Sequence, residues 1–207
     1  MDPTPSSRPE RRKRAFIIHG YLSYPAEAWL PWMKAELEKR GYRVELPAMP
    51  APDRPVIAEW VRFIDGLVGA PDGDTVIVGH SMGVMAVIFY LESIGRAGRS
   101  VGRTVLVAGG FPPGLSAAEA APRIHGNSVL TPWFTTPVDP AKVRAAAGKA
   151  TVIISNDDPY IDVPKAVAAF EAKLGPAIIR ENGKGHYNED DGLTELPAAL
   201  EAAIAAG

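Results

Sequence analysis

The chain has 207 residues, a net charge of −2 and no cysteine. That length fits one domain with a sizeable core. The near-neutral charge excludes a strong field for nucleic acid or membranes, and the absence of cysteine excludes disulfides, a thiol nucleophile and thiolate metal sites. No apolar run reaches the roughly 18 residues of a membrane-spanning helix. Phe16-Ile17-Ile18 is too short for a signal-peptide core, so the cytoplasm is the expected location.

Residues 1–14 are rich in Pro, Ser and Arg and read as a disordered, solvated tail, with residues 15–207 as a single domain. From there strand and helix patterns alternate. Ala15 to His19 is a short apolar strand. Trp29 to Arg40 is a helix with Trp29, Met33 and Leu37 on one stripe, closed by Gly41. Arg43 to Leu46 is a second strand, stopped by Pro47, Pro50 and Pro52. Val56 to Val68 is a helix, and Thr75 to Val78 a strand that leads through Gly79-His80-Ser81-Met82-Gly83 into a helical run from Val84 to Leu91. Arg103 to Ala108 and Lys149 to Ile154 are strands, Pro164 to Leu174 a helix, Pro176 to Ile179 the last strand and Thr194 to Ala205 the last helix. Alternation on this scale predicts an α/β fold: a mostly parallel central sheet of about six strands with helices on both faces. Residues 109–138, with Phe111-Pro112-Pro113-Gly114 and Pro132-Trp133-Phe134, interrupt the rhythm and are expected to form a small lid or pocket wall, with no larger cap.

The stretch from Gly79 to Gly83 carries the chemistry. Strand, G-x-S-x-G, helix is the nucleophile elbow of an α/β-hydrolase. A serine hydroxyl needs to be lifted out of the surface beside a general base before it attacks. The sharp turn lifts it, and glycine two residues away on each side leaves room for the crowded backbone. In this fold the acid and then the histidine follow in the chain. Ile153-Ile154 runs into Ser155-Asn156-Asp157-Asp158-Pro159-Tyr160, so the acid is Asp158 or Asp157. Asp158 is preferred, because Pro159 restricts its backbone and Ile161 can anchor the turn. His186, between Gly185 and Tyr187 after the last strand, is the expected base. The oxyanion is expected to be held by the N–H of Met82 and by that of Tyr21, with Leu22 as second choice, in the loop after the first strand.

His80, Phe111, Trp133, Phe134, Tyr160 and Tyr187 are the candidate pocket residues, which predicts a modest apolar cavity for short to medium uncharged acyl groups. The alternative for Trp133 and Phe134 is that they plug the edge of the core. His19 is expected to brace a loop, and His125 to lie on the surface. Asn188-Glu189-Asp190-Asp191-Gly192 does not have calcium-loop spacing and reads as a solvated helix start. No metal or cofactor is expected.

The chain resembles the compact bacterial YdeN-like serine hydrolases, the family of retinoblastoma-binding protein nine. The resemblance spans roughly residues 15–205. It rests on Phe16-Ile17-Ile18-His19-Gly20, Trp29-Leu30-Pro31-Trp32, Gly79 to Gly83, Phe134-Thr135-Thr136-Pro137-Val138-Asp139, Ser155 to Tyr160 and Gly183-Lys184-Gly185-His186-Tyr187. It implies an α/β-hydrolase acting on small esters or amides through Ser81, His186 and Asp158. The L-x-C-x-E-type motif for which the animal member is named needs a cysteine, so that partner-binding role is not expected here. A serine hydrolase of small carboxylic esters, monomeric or homodimeric, is the reading that follows. An acyltransferase or thioesterase on the same residues, and a catalytically silent binding module, are its alternatives.

Overall fold

The computed structural model describes residues 13–124 and 127–205. In chain order the elements are β1 (Arg14–Ile18), α1 (Leu30–Lys39), β2 (Arg43–Glu45), α2 (Ile57–Val68), β3 (Thr75–His80), α3 (Met82–Arg96), β4 (Arg103–Val107), α4 (Ala117–Ala120), α5 (Thr131–Thr135), α6 (Pro140–Ala146), β5 (Lys149–Ser155), α7 (Val163–Lys173), β6 (Ala177–Glu181) and α8 (Pro197–Ile204). The six strands form one sheet in the order β2-β1-β3-β4-β5-β6, and every pairing is parallel.

Strand side chains alternate between the two faces, as the two-residue pleat requires. Phe16, Ile18, Ile77, Leu106 and Val152 join the core under α2, α3 and α6. Ala15, Ile17, Val76, Val78, Val105, Val107 and Ile153 join the core under α1 and α8. α3 is apolar all round, with Gly83 to Leu91 buried without a break. A helix can be so only when it is covered on several sides. The sheet covers one side, and α2 and α6 cover others.

The chain runs from β1 out to the edge strand β2, returns to β3 on the other side of β1, and then proceeds the other way to β6. The direction of winding therefore reverses between β1 and β3. In open parallel sheets a crevice opens at that reversal, at the carboxyl ends of the strands. Ser81 lies at the end of β3 and Gly20-Tyr21 just beyond β1, one on each side of it.

Several elements differ from the sequence reading. Arg14 is the first residue of β1 and not part of a tail, because its guanidinium donates to Val68 O at 2.9 Å, Ala70 O at 2.6 Å and Thr75 Oγ1 at 3.0 Å. The basic residues Arg8, Arg11 and Arg12, and His125, lie outside the described residues. α6 has no sequence signature, since only Val143 and Ala146 of its seven residues are buried. It starts where Asp139 caps Ala141 N at 2.9 Å and packs on α3 where Gly95 has no side chain to strike Lys142 O. α8 begins at Pro197, not Thr194, because Gly192 takes a left-handed turn (φ 68) and proline occupies the first helical turn. The insert is not a bare loop: it contains α4, α5 and two short 3-10 turns.

Candidate active site

Ser81 is the one residue between β3 and α3, with φ 55 and ψ −122. A non-glycine residue held there costs about 1–3 kcal/mol. The surroundings impose it: Ser81 N–H donates to Val107 O at 2.9 Å, and Val84 N–H donates to Ser81 O at 3.0 Å. The flanking glycines are spatial necessities. A Cβ on Gly79 would stand 2.7 Å from Gly83 O, one on Gly83 would strike Ile18 O and lie 2.7 Å from His19 O, and one on Gly20 would stand 2.9 Å from Ser81 Cβ. Helix α3 thus leans on the end of β1 with no side chain between them. Gly83→Ala must push these backbones apart; overpacking of this kind costs about 1–3 kcal/mol. Thermal unfolding should register a Tm lowered by several degrees, at about 2–4 °C per kcal/mol for a chain this size.

His186 Nε2 lies 2.8 Å from Ser81 Oγ, and His186 Nδ1 lies 2.8 Å from Asp158 Oδ2. The Asp158 side chain is fully buried, and Asp158 Oδ1 also accepts the Tyr160 N–H at 2.9 Å. A carboxylate is an acceptor only, so Nδ1 carries the proton and Nε2 presents its lone pair to the serine hydroxyl. Asp157 is turned elsewhere: it accepts from Ser155 Oγ and, at 2.9 Å, from Gly183 N. Hydrogen bonding from Ser155 holds its pKa below the usual carboxylate value. It ties the loop after β5 to the loop after β6.

The backbone of the histidine loop is fastened from three sides. Asp191 Oδ2 accepts from His186 N at 2.9 Å and from Asn188 N at 3.0 Å. Trp29 Nε1 donates to Tyr187 O at 3.1 Å. His80 Nε2, 2.9 Å from His186 O, donates to it. The Asp191 carboxylate fills the space beside Gly185, which has φ 51 and no room for a Cβ. Sequence reading placed Asp191 in a solvated acidic cluster; its position beside Gly185 and two backbone donors is visible only in three dimensions.

The N–H groups of Met82, at the start of α3, and of Tyr21 have no acceptor among the described residues. Leu22, the second choice, is ruled out as a free donor, because its N–H already donates to Pro52 O at 2.9 Å. His19 braces this loop. Met49 N–H donates to His19 Nε2 at 2.9 Å, which leaves the proton on Nδ1 for Gly20 O at 3.0 Å. Burial lowers its pKa, consistent with a neutral strut.

Most of the expected pocket residues are packed into the core. Trp133 is fully buried: its indole donates to Pro55 O at 2.9 Å and packs edge-on against Trp60 and Phe89. Phe111 is buried against Phe170, and Phe134 is half-buried on the same core. Tyr187 is buried on the opposite face of the sheet, with its hydroxyl donating to Glu181 at 2.9 Å. Aromatic side chains bury more area by turning inward, and these four, two of them on α5, do so. Only Tyr160 is open to solvent, its ring edge-on to His186 at 4.9 Å between centroids.

His80 lies beneath the site, not in it, 2 % exposed and packed between Trp29 and His186. Its Nδ1 is buried with no hydrogen-bond partner among the described residues. Burial, and then the neighbouring His186, push its pKa from 6.5 down to about 4. The unfolded chain therefore binds a proton that the folded chain refuses. Stability is full above pH 6.5 and is lost as the pH falls from 6.5 toward 4, by on the order of 3 kcal/mol. Urea unfolding at pH 7, 5.5 and 4 should show this loss. His80→Asn should flatten the slope, leaving the smaller part in the same direction that His19 contributes.

The fold and this arrangement define an α/β-hydrolase. A family model described as serine hydrolase matches residues 15–203, and the chain belongs to that family. It is 28 % identical over 190 residues to YdeN of Bacillus subtilis (strain 168), covering 91 % of this chain and 93 % of YdeN. The crystal structure of the ydeN gene product from B. subtilis superposes with a TM-score of 0.77 at 25 % identity, over 91 % of this chain and 95 % of that one. Est1E of Butyrivibrio proteoclasticus, solved with ferulic acid bound, shares the fold at a TM-score of 0.67 and 15 % identity, over 97 % and 90 % of the two chains. A monoacylglycerol lipase from Paleococcus ferrophilus does so at 0.60 and 15 %, over 84 % and 85 %.

Proposed function

We propose that this serine hydrolase cleaves carboxylic esters through an acyl-enzyme, with Ser81 as nucleophile, His186 as general base and Asp158 as the acid that orients it. The observation that carries the reading is the pair of 2.8 Å contacts that link Ser81 Oγ, the His186 ring and the buried Asp158 carboxylate. Ser81 Oγ attacks the ester carbonyl carbon while its proton passes to His186 Nε2. The imidazolium that forms is stabilised by Asp158. The carbonyl oxygen becomes an oxyanion beside the two uncommitted N–H groups, Met82 and Tyr21, at the positive end of α3. Collapse expels the alcohol with the proton from His186. A water deprotonated by the same ring then attacks the acyl-serine, and the acid leaves.

Glu27 and Glu189 both lie close enough to Tyr24, on the loop after β1, to raise its pKa, the Glu189 hydrogen bond first. Negative charge between the loop after β1 and the segment that follows His186, where Tyr24 donates to Glu189 at 2.8 Å, favours neutral acyl groups over carboxylate-bearing ones. A fluorophosphonate probe tests the reading. It is expected to label the wild-type protein and not Ser81→Ala, whereas a folded wild type that takes no label would sink it.

A further inference from the structure

Among the described residues, five large apolar side chains are exposed: Leu22, Tyr24, Val56, Val129 and Tyr160. Single exposed apolar residues are ordinary when scattered. These are not scattered. Each lies in a segment that leaves the carboxyl end of a strand, namely β1, β2, β4 or β5, and so on the sheet edge that carries Ser81. Two of them, Val56 and Val129, face each other across a cleft of about 490 Å³ between the start of α2 and the insert. Pro55, Ile57 and Pro132 complete its apolar walls. That volume is within the range of small-molecule sites.

The cleft adjoins the oxyanion loop. Asn127 Nδ2 donates to Tyr21 Oη at 2.8 Å, and the next residue, Ser128, lines the cleft. On the other wall, the bond from Leu22 N to Pro52 O ties the same loop to the segment that leads to Pro55. The floor is fixed, since the buried Trp133 indole holds Pro55 O at 2.9 Å. The cation in the lining, Arg54, lies 3.5 Å from Asp53 and is already paired. The walls are mostly apolar, with Ser128, Thr136 and the exposed Arg54 as their polar parts, and suit a neutral aliphatic chain.

We propose that this cleft, walled on one side by the insert, takes the aliphatic chain of the substrate, so that the preferred substrates are esters of medium chain length rather than acetates. This rests on Ser81 being the nucleophile. The insert then acts as a subsite wall through its backbone and Val129, not through the aromatic residues that its sequence displays.

The test is a series of p-nitrophenyl esters from acetate to octanoate. Burial of each methylene is worth up to about fourfold in kcat/KM, and the octanoate-to-acetate ratio in the wild type is expected to reach about tenfold or more even with partial burial. Val129→Phe and Val56→Phe fill the cleft from opposite walls at exposed positions and are each expected to bring that ratio close to one. A flat wild-type series, or a ratio that survives both substitutions, overturns the proposal. Binding is read separately in Ser81→Ala by tryptophan fluorescence, with the uncleavable 2-decanone against 2-butanone. Tighter binding of 2-decanone, lost on adding Val129→Phe, supports the subsite; equal binding of the two ketones overturns it. If acetate is not turned over and the fluorophosphonate does not label, the reading of Ser81 fails, while the ketone titration still decides the cleft.

Discussion

Ser81→Ala is expected to lower kcat for a p-nitrophenyl ester by about 10⁶, the size seen when a serine acting within such a relay is removed. The loss should be nearly complete because the hydroxyl has no substitute. The chain has no cysteine, and the hydrogen-bonding group at His186 Nε2 is Ser81 Oγ itself. What survives should be the residual help of the Met82 and Tyr21 N–H groups. The fold should not suffer. Alanine keeps the Cβ that packs against Gly20 and needs the same positive φ as serine, so the strain is unchanged. Parallel measurements of kcat and Tm separate the two effects. A loss smaller than about a hundredfold, with an unchanged Tm, would mean that another group attacks.

The parts of this molecule that were legible in the sequence are those set by local sterics and period. The strands flanking the elbow show apolar runs because both faces of a parallel sheet are covered. Gly79 and Gly83 stand where backbones touch, and their spacing around Ser81 can be read without coordinates. α6 was not legible, because a seven-residue helix with two buried side chains has no stripe to detect. Side-chain direction was not legible either. Trp133 sits in α5, and Phe111 and Tyr187 in the segments after β4 and β6, yet each turns into the core, and nothing local distinguishes an aromatic that lines a pocket from one that plugs a layer. Of the polar ties that hold the histidine loop, the one from Asp191 is local, whereas the two from His80 and Trp29 join segments far apart in the chain. Only the sheet order brings them together.

That order also explains why so few residues can arrange the site. The loop proposed to hold the oxyanion leaves β1 and Ser81, the proposed nucleophile, follows β3, and these strands are paired in register from Arg14 with Thr75 to Ile18 with Gly79. Their ends therefore emerge side by side. Asp158 and His186, the proposed acid and base, follow β5 and β6, which are likewise adjacent. The Ser155–Asp157–Gly183 ties lock the two loops to each other, so Asp158 and His186 approach Ser81 as one unit. Positioning by rigid strand ends is what a proton relay with 2.8 Å contacts requires.

The two adjacent carboxylates give the sharpest test of this arrangement. Asp158→Asn is expected to lower kcat by about 10⁴ at neutral pH, because an amide that faces Nδ1 with its NH₂ selects the wrong imidazole tautomer. Nε2 would then carry the proton and could no longer accept one from Ser81. Asp157→Asn should cost less than about tenfold, since the amide oxygen can still accept from Ser155 and Gly183, with neutral bonds in place of charge-assisted ones. Asp157→Ala removes both ties and should loosen the loop after β6, which would appear as a lower Tm before it appears as a lower kcat. The comparison needs only kcat/KM and Tm for the three variants with one ester. Should Asp157→Asn prove the more damaging of the two amide substitutions, the acid would be Asp157, and the loop would have to rearrange to bring it to His186.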